Sequence, residues 1–151
     1  MRVFLLHGMA RSVAAMAILA WRLERASHKA HLFGYQVVTE DLEGIAGRLV
    51  ERVTRVLAED ARARQEAGGE ESDDPEPYAI IGHSLGNVIT RLASPQLPAG
   101  WSRFILLAPP NRPSTLAKGL RHNRLFRLLT GDAGRRLADP AFFDRLPVPD
   151  V

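Results

Sequence analysis

Short apolar runs alternate along the chain with segments in which apolar residues recur at helical spacing. The runs predict four strands, at residues 2–6, 35–39, 78–81 and 101–107. Apolar positions three or four residues apart predict the helices between them; these are Met16, Leu19, Ala20 and Leu23, then Leu42, Ile45, Leu49, Val53 and Val56, then Val88, Ile89 and Leu92. Strands that alternate with helices form parallel sheets with right-handed crossovers. We therefore expect an α/β fold, a three-layer α/β/α arrangement with a parallel sheet of about four strands.

Two segments depart from this alternation within the single domain expected over residues 1–151. Residues 66–77 are acidic, contain Gly and Pro, and have no apolar residue except Ala67, which is typical of an exposed flexible loop. Residues 112–146 form the basic end of the chain and predict a helical, cap-like segment. Its basic residues belong either to a solvated helical face or to a cap that meets an anionic surface or an acidic substrate group.

The composition is that of an ordinary globular domain, with 151 residues, 46% hydrophobic and 25% charged. The absence of cysteine excludes disulfides, thiolate metal sites and cysteine nucleophiles, and we expect no cofactor or metal. No apolar run reaches the ~20 residues that span a bilayer. No signal-peptide pattern precedes the first strand, so we expect a cytoplasmic location.

The net charge of +3 is too small to indicate a nucleic acid as partner. Almost all of the positive charge comes from arginine, which is concentrated near the C-terminus. This basic end leaves a weak contact with a membrane surface as an alternative to plain solvation.

The chemistry of the chain centres on Gly82-His83-Ser84-Leu85-Gly86, which follows the third predicted strand and opens the third predicted helix. In that setting the pattern Gly-x-Ser-x-Gly puts the serine on a sharp turn from strand to helix, and the two glycines leave room for close packing. The helix N-terminus offers N–H groups and partial positive charge to a developing oxyanion. The pattern therefore predicts Ser84 as a nucleophile, with a structural glycine-rich turn as the alternative.

An oxyanion needs two backbone donors, and two loops at the same end of the sheet can supply them. The Leu85 N–H comes directly after the serine. The loop after the first strand, His7-Gly8-Met9, provides the second donor at Met9, because Gly8 allows the backbone to approach closely. We expect His7 to fix this loop by hydrogen bonding rather than to act as a base.

These two motifs, with the sequence Ala108-Pro109-Pro110-Asn111 after the fourth strand, resemble the small α/β-hydrolase lipases and esterases of bacteria. The resemblance covers about residues 2–115. It implies hydrolysis of a small-molecule or lipid ester through Ser84, with the oxyanion hole at Met9 and Leu85 and without a cofactor. It also implies a pocket; its residues are His7, Gly8, His83 and Asn111.

The chain departs from this family where the catalytic acid and base are expected. In this fold the triad runs along the chain as Ser, then Asp or Glu, then His. No acidic residue lies between Leu85 and Gly131, and no histidine follows Asp132, the first later acid. His122 is the only histidine after Ser84, and it is retained as a candidate base although it precedes every candidate acid.

Three interpretations stay open. The chain is a truncated α/β-hydrolase whose further residues supply the acid and the histidine. Alternatively, it is a reduced hydrolase in which His122 swings over Ser84, or a catalytically incomplete relative that acts as a binding or assembly module. Because two strands of the family's sheet are absent, the fourth strand has an unpaired edge through which self-association could occur unless the C-terminal segment covers it.

Overall fold

The structure, a computed structural model, describes residues 1–68, 77–113, 119 and 123–149. In chain order the strands and helices are β1 (Arg2–Leu6), α1 (Ala17–Arg25), β2 (Lys29–Phe33), α2 (Leu42–Glu66), β3 (Tyr78–His83), α3 (Leu85–Ala93), β4 (Trp101–Leu107), α4 (Arg124–Arg136) and α5 (Pro140–Asp144). Short 3-10 turns, Val13–Met16 and Ser94–Gln96, precede α1 and follow α3. His122 and residues 69–76 of the acidic segment lie outside the described residues.

The four strands form one parallel sheet in the order β2-β1-β3-β4, which confirms the predicted fold class. Leu6 at the end of β1 pairs with Phe33 of β2 on one side and with Gly82 of β3 on the other, and His83 pairs with Leu107. The carboxyl ends of all four strands therefore meet at one edge of the sheet. The loops that follow the strands at this edge carry the candidate chemistry.

Helices cover both faces of the sheet. Side chains of a buried strand point alternately to the two faces, so each face packs against its own set of helices. Phe4 and Leu6 of β1 pack with α2, α3 and the C-terminal helices in the larger core cluster. Val3 and Leu5 pack on the opposite face with Met16 and Ala20 of the α1 region. This alternation gives the expected three layers.

The predicted second strand at residues 35–39 is wrong, because the strand is formed by Lys29–Phe33 instead. Among the described residues β2 pairs only with β1, so it is an edge strand and keeps Lys29 and Leu32 exposed. Lys29 and His31 interrupt the apolar residues of β2, so this strand is not a continuous apolar run. The apolar residues Tyr35 and Val37 are buried for another reason, since they form the loop that returns from β2 toward α2.

Polar contacts cap the start of α2. Others join the C-terminal helices to α2 and α3. Asp41 is the N-cap of α2, and its carboxylate accepts a hydrogen bond from the Gly44 N–H at 2.7 Å. Arg136 of α4 bridges Glu43 in the first turn of α2 and Asp132, with both N–O distances at 2.6 Å. Arg91 of α3 donates to the backbone carbonyl of Pro147 at 2.7 Å.

These contacts join the described C-terminal residues to α2 and α3. Among the strands of the described ranges, β4 pairs only with β3. Ile105, Leu106 and Leu107 are left 37–40% exposed along this strand. No helix among the described residues is long and apolar enough to cross a membrane.

A pH dependence of stability is expected from His31, which lies on β2 and stacks on Phe4 with ring centroids 5.0 Å apart. Burial, and then the positive charges of Arg52, Arg2 and Lys29, lower the pKa of His31 below its ordinary value of 6.5, against the opposing effect of Glu59. The folded protein therefore resists a proton that the unfolded chain takes up. The free energy of unfolding should fall as pH drops below about 6.5.

Urea denaturation of the wild type and of His31→Gln between about pH 7 and about pH 5 measures this contribution. The glutamine variant cannot titrate at this position, so its stability should depend less steeply on pH. Equal slopes for the two proteins would show that His31 takes up its proton as easily in the folded state as in the unfolded chain.

Candidate active site

The backbone of Ser84 adopts a conformation that serine rarely occupies. It lies between the end of β3 and the start of α3 with φ 50° and ψ −113°. A non-glycine residue with positive φ is strained by an amount of order 1–3 kcal/mol, and such strain clusters at functional sites. The chain therefore makes the sharp strand-to-helix turn that the sequence pattern predicts, with Ser84 at its apex.

The glycines on either side make this turn sterically possible. A Cβ atom on Gly82 would lie 2.8 Å from the backbone nitrogen of Asn87 and from the carbonyl carbon of Gly86. A Cβ atom on Gly86 would lie 2.8 Å from the carbonyl oxygen of Leu6 in β1. The Asn87, Gly86 and Leu6 atoms named here belong to the backbone of buried elements and cannot move aside. The approach of α3 to the sheet thus requires glycine at both positions.

Two hydrogen bonds fasten the turn to the end of β4, and a third lies within the turn. The Leu107 carbonyl accepts from the Ser84 N–H at 2.9 Å and from the Asn87 side-chain amide, also at 2.9 Å. The Asn87 N–H donates to the Ser84 carbonyl at 3.0 Å. Asn87 is 1% exposed, and the sequence analysis gave it no role. Its signal in the sequence is a polar residue on the inward face of a helix that is otherwise mostly apolar there, with Thr90 as the other buried polar residue.

The loop after β1 lies directly beside this turn. A Cβ atom on Gly8 would be 2.8 Å from Nδ1 of His83 and 3.3 Å from Cβ of Ser84, so only glycine lets the loop backbone come this close. Met9 follows Gly8 and is half-buried. Leu85 is the first residue of α3, so its N–H has no acceptor within the helix.

His7 is buried under this loop, with 3% of its surface exposed. Its Nδ1 lies 2.8 Å from the carbonyl oxygen of Gly8. Its ring stacks on the ring of Tyr35, with centroids 4.2 Å apart and 7° between the planes. The Tyr35 hydroxyl donates a hydrogen bond to the His7 carbonyl. Burial raises the pKa of Tyr35, so this hydroxyl stays protonated and remains a donor.

Among the described residues, clefts open next to these loops. One of about 260 Å³ is lined by the Gly8–Ala10 backbone, Tyr35 and Val37. A larger one of about 520 Å³ lies between α1 and the end of β4. The larger cleft is bordered by His83 and Leu107. Its other lining residues are Ala15, Met16, Ile18 and Leu19, with Arg11 and Arg22.

The structure does not bring a base or an acid to Ser84 from the described part of the chain. Asn111 is exposed beyond the end of β4, and His83 is half-buried next to Gly8. None of the hydrogen bonds among described side chains joins a histidine to Ser84 or to a carboxylate. Nor do three described His, Asp or Glu side chains lie together as metal ligands would.

Two of the later acids that the structure describes, Asp132 and Asp139, have structural partners instead. Hydrogen bonds from Arg135 and Arg136 lower the pKa of Asp132 although its partial burial opposes this. Asp139 caps α5 by accepting a hydrogen bond from the Ala141 N–H at 3.0 Å. Neither carboxylate is oriented toward a histidine by a hydrogen bond.

Comparison with known structures finds the same fold in several hydrolases. The chain superimposes on an extracellular α/β-hydrolase from a Paenibacillus species with TM-score 0.61 and 16% identity, covering 87% of this chain and 53% of that one. Phospholipase PlaB from Legionella pneumophila matches with TM-score 0.62 and 18% identity, covering 92% and 32%. A carboxyl esterase from Bacillus coagulans matches with TM-score 0.52 and 14% identity, covering 86% and 47%. The chain spans about half or less of the length of each.

Comparison of sequences adds information about the family, beyond the fold. No curated protein matches the chain. The model of the family described as "Serine aminopeptidase, S33" matches residues 1–138, which is most of the chain and includes both loops beside Ser84. Together with the parallel sheet and its α/β-hydrolase neighbours, this match identifies the chain as a member of the serine aminopeptidase S33 family of α/β-hydrolases.

Proposed function

We propose that the chain carries the nucleophile and the oxyanion hole of a serine hydrolase that acts on small-molecule or lipid carboxylic esters. The observation that carries the proposal is the strained backbone of Ser84 at the turn between β3 and α3. A serine held at positive φ between two glycines that admit no side chain is the arrangement that exposes a nucleophilic Oγ above a parallel sheet.

The proposed reaction is an acyl transfer in two stages. The Ser84 oxygen attacks the ester carbonyl, and the negative charge on the carbonyl oxygen is held by the N–H groups of Met9 and Leu85. The alcohol then leaves with a proton, and water hydrolyses the acyl-enzyme to release the acid and restore the serine. The proton of Ser84 needs a base, and no described residue contacts its side chain in that role; His122 remains the candidate from the sequence.

The ester class is supported by the larger cleft, which reaches His83 next to Ser84, and by two structural neighbours. The larger cleft has apolar residues from α1 on one side and reaches His83, so it suits an acyl or other apolar group of an ester. Among the structural neighbours, one is named as a carboxyl esterase and another as a phospholipase. The family also contains enzymes named for cleaving peptides, so an amide substrate is the natural comparison in the assay.

A fluorophosphonate probe tests the proposal, because it forms a covalent bond with an activated serine. We expect mass spectrometry to find the label on Ser84, no labelling of Ser84→Ala, and faster hydrolysis of short-chain p-nitrophenyl esters than of the matching anilides. The proposal is wrong if the wild type neither labels nor hydrolyses these esters above the Ser84→Ala background.

A second candidate, a catalytically incomplete binding or assembly module, is favoured by the exposed apolar side chains of β4. An unpaired edge strand is a template for pairing with another chain. Sedimentation of the unreactive wild type as a dimer would support this alternative. A monomer that labels at Ser84 would support the hydrolase.

A further inference from the structure

The direction of the Met9 N–H depends on the peptide plane that it shares with the Gly8 carbonyl. In a trans peptide the C=O and the following N–H point in opposite directions, so whatever holds the carbonyl also aims the N–H. The Gly8 carbonyl has two hydrogen-bond partners: His7 Nδ1 at 2.8 Å and, more distantly, the Arg11 N–H at 3.3 Å. Because a carbonyl can only accept, Nδ1 of His7 must carry the proton.

The His7 ring is in turn held by Tyr35. The two rings stack almost in parallel at 4.2 Å, and the Tyr35 hydroxyl donates to the His7 carbonyl. Tyr35 therefore fixes both the ring that holds the Gly8 carbonyl and the peptide group that precedes Gly8. Two consecutive peptide groups of the loop are oriented in this way.

Tyr35 cannot easily shift away from the loop, because its own segment is anchored on the far side. Tyr35 and Val37 are each 7% exposed. Gly131 of α4, with φ 53°, brings its backbone against the Val37 carbonyl so closely that a Cβ atom would overlap with it. The C-terminal helix thus supports the return loop, and the return loop supports Tyr35.

We infer that Tyr35 is a positioning residue that, through His7 and the Gly8 carbonyl, fixes the direction of the Met9 N–H in the loop beside Ser84. The inference rests on the proposed function, since it assigns Tyr35 to the oxyanion loop of that reaction. The contacts of Tyr35 are with His7 and not with Ser84, so its effect on the reaction is exerted through the loop.

The variant Tyr35→Phe removes only the hydroxyl and keeps the ring stack. A matched control exists in Tyr78, a second buried tyrosine whose hydroxyl donates to a backbone carbonyl, that of Pro98 at 2.7 Å. Tyr78 opens β3 at the opposite end of the sheet from Ser84. Both substitutions lose a buried hydroxyl, so thermal unfolding should detect both, and only one should affect the loop.

Kinetics of fluorophosphonate labelling should separate the two variants. For Tyr35→Phe we expect the maximal rate of inactivation to fall about 10-fold, less than the 100-fold or more that follows loss of a whole oxyanion donor. The probe concentration for half-maximal rate should change little. Tyr78→Phe should label like the wild type. Equal losses of rate in both variants, or none in Tyr35→Phe, would overturn the inference.

A second measurement tests the positioning role without any reaction. Nitrogen-15 relaxation of the Gly8 and Met9 amides should give order parameters near 0.85 in the wild type and in Tyr78→Phe, and about 0.6 or lower in Tyr35→Phe. A wild type that does not label would refute the proposed function, and these order parameters would still decide the role of Tyr35. Unchanged order parameters in Tyr35→Phe would show that Tyr35 does not hold the loop.

Discussion

Replacing Gly86 with alanine is expected to lower the free energy of unfolding by about 3 kcal/mol, the upper part of the usual range for overpacking. The added Cβ would lie 2.8 Å from both the carbonyl oxygen and the Cβ atom of Leu6, and 3.0 Å from the carbonyl oxygen of His7. Leu6 is completely buried in a central strand, so its backbone cannot yield. The helix α3 must instead move away from the sheet and give up part of its own buried contacts.

Gly47 provides the matched control for this substitution. It also lies in a helix, α2, but a Cβ atom there would meet no other atom within 4 Å. Gly47→Ala should therefore raise the free energy of unfolding by up to about 1 kcal/mol, because alanine favours a helix over glycine. Urea denaturation of both variants measures the contrast. Similar stabilities for the two would mean that α3 does not depend on close contact with β1.

The strands and helices around Ser84 could be predicted from the sequence because their patterns are local. The apolar residues of β3 end at Gly82, the Gly-x-Ser-x-Gly pattern gives the turn, and β4 was predicted with the bounds that the structure shows. Buried parallel strands carry continuous apolar runs, and an amphipathic helix such as α2 repeats its apolar residues regularly. In β1, β3 and α2 the local pattern and the burial in the fold agree, whereas β4 has the apolar run although Ile105, Leu106 and Leu107 are exposed.

The second strand could not be predicted in this way, because position in the sheet overrides the local pattern. β2 is at an edge and tolerates Lys29 and His31, while Tyr35 and Val37 are apolar because they pack under the loops at the carboxyl edge. The pattern of a continuous apolar run therefore fits the return loop better than it fits β2. For the same reason the sequence indicates no role for Tyr35 in positioning the loop beside Ser84, because that role depends on how the return loop packs against the loop after β1.

For the site, the sequence predicted which loops meet but not what holds them. The pairing of Leu6 with Gly82 puts the His7–Met9 loop beside Ser84, as parallel strands require. The hydrogen bonds that Asn87 and Tyr35 make to backbone carbonyls join residues 20 and 28 positions apart. No spacing rule in a single sequence indicates such partners, because they depend on the final packing of separate elements.

Substitution of Gly8 with alanine is expected to lower the rate of fluorophosphonate labelling about 100-fold, the loss that follows removal of one oxyanion donor. Gly8 has no positive φ, so alanine adds no backbone strain, and its effect is steric. The new Cβ would lie 2.8 Å from Nδ1 of His83 and 3.3 Å from Cβ of Ser84. The half-buried His83 ring can rotate, but the Cβ of Ser84 is held by the strained turn, so the loop relieves this second contact by withdrawing from Ser84 with the Met9 N–H.

Gly34→Ala is the control, since Gly34 also follows a strand at the carboxyl edge of the sheet. A Cβ atom there would approach only Cγ1 of Val13, at 3.3 Å, and that side chain is exposed and free to adjust. Gly34→Ala should therefore label at nearly the wild-type rate, and thermal unfolding should confirm that both variants are folded. If folded Gly8→Ala also labelled at the wild-type rate, Met9 could not be the second donor, because that role requires the loop to stay in contact with Ser84.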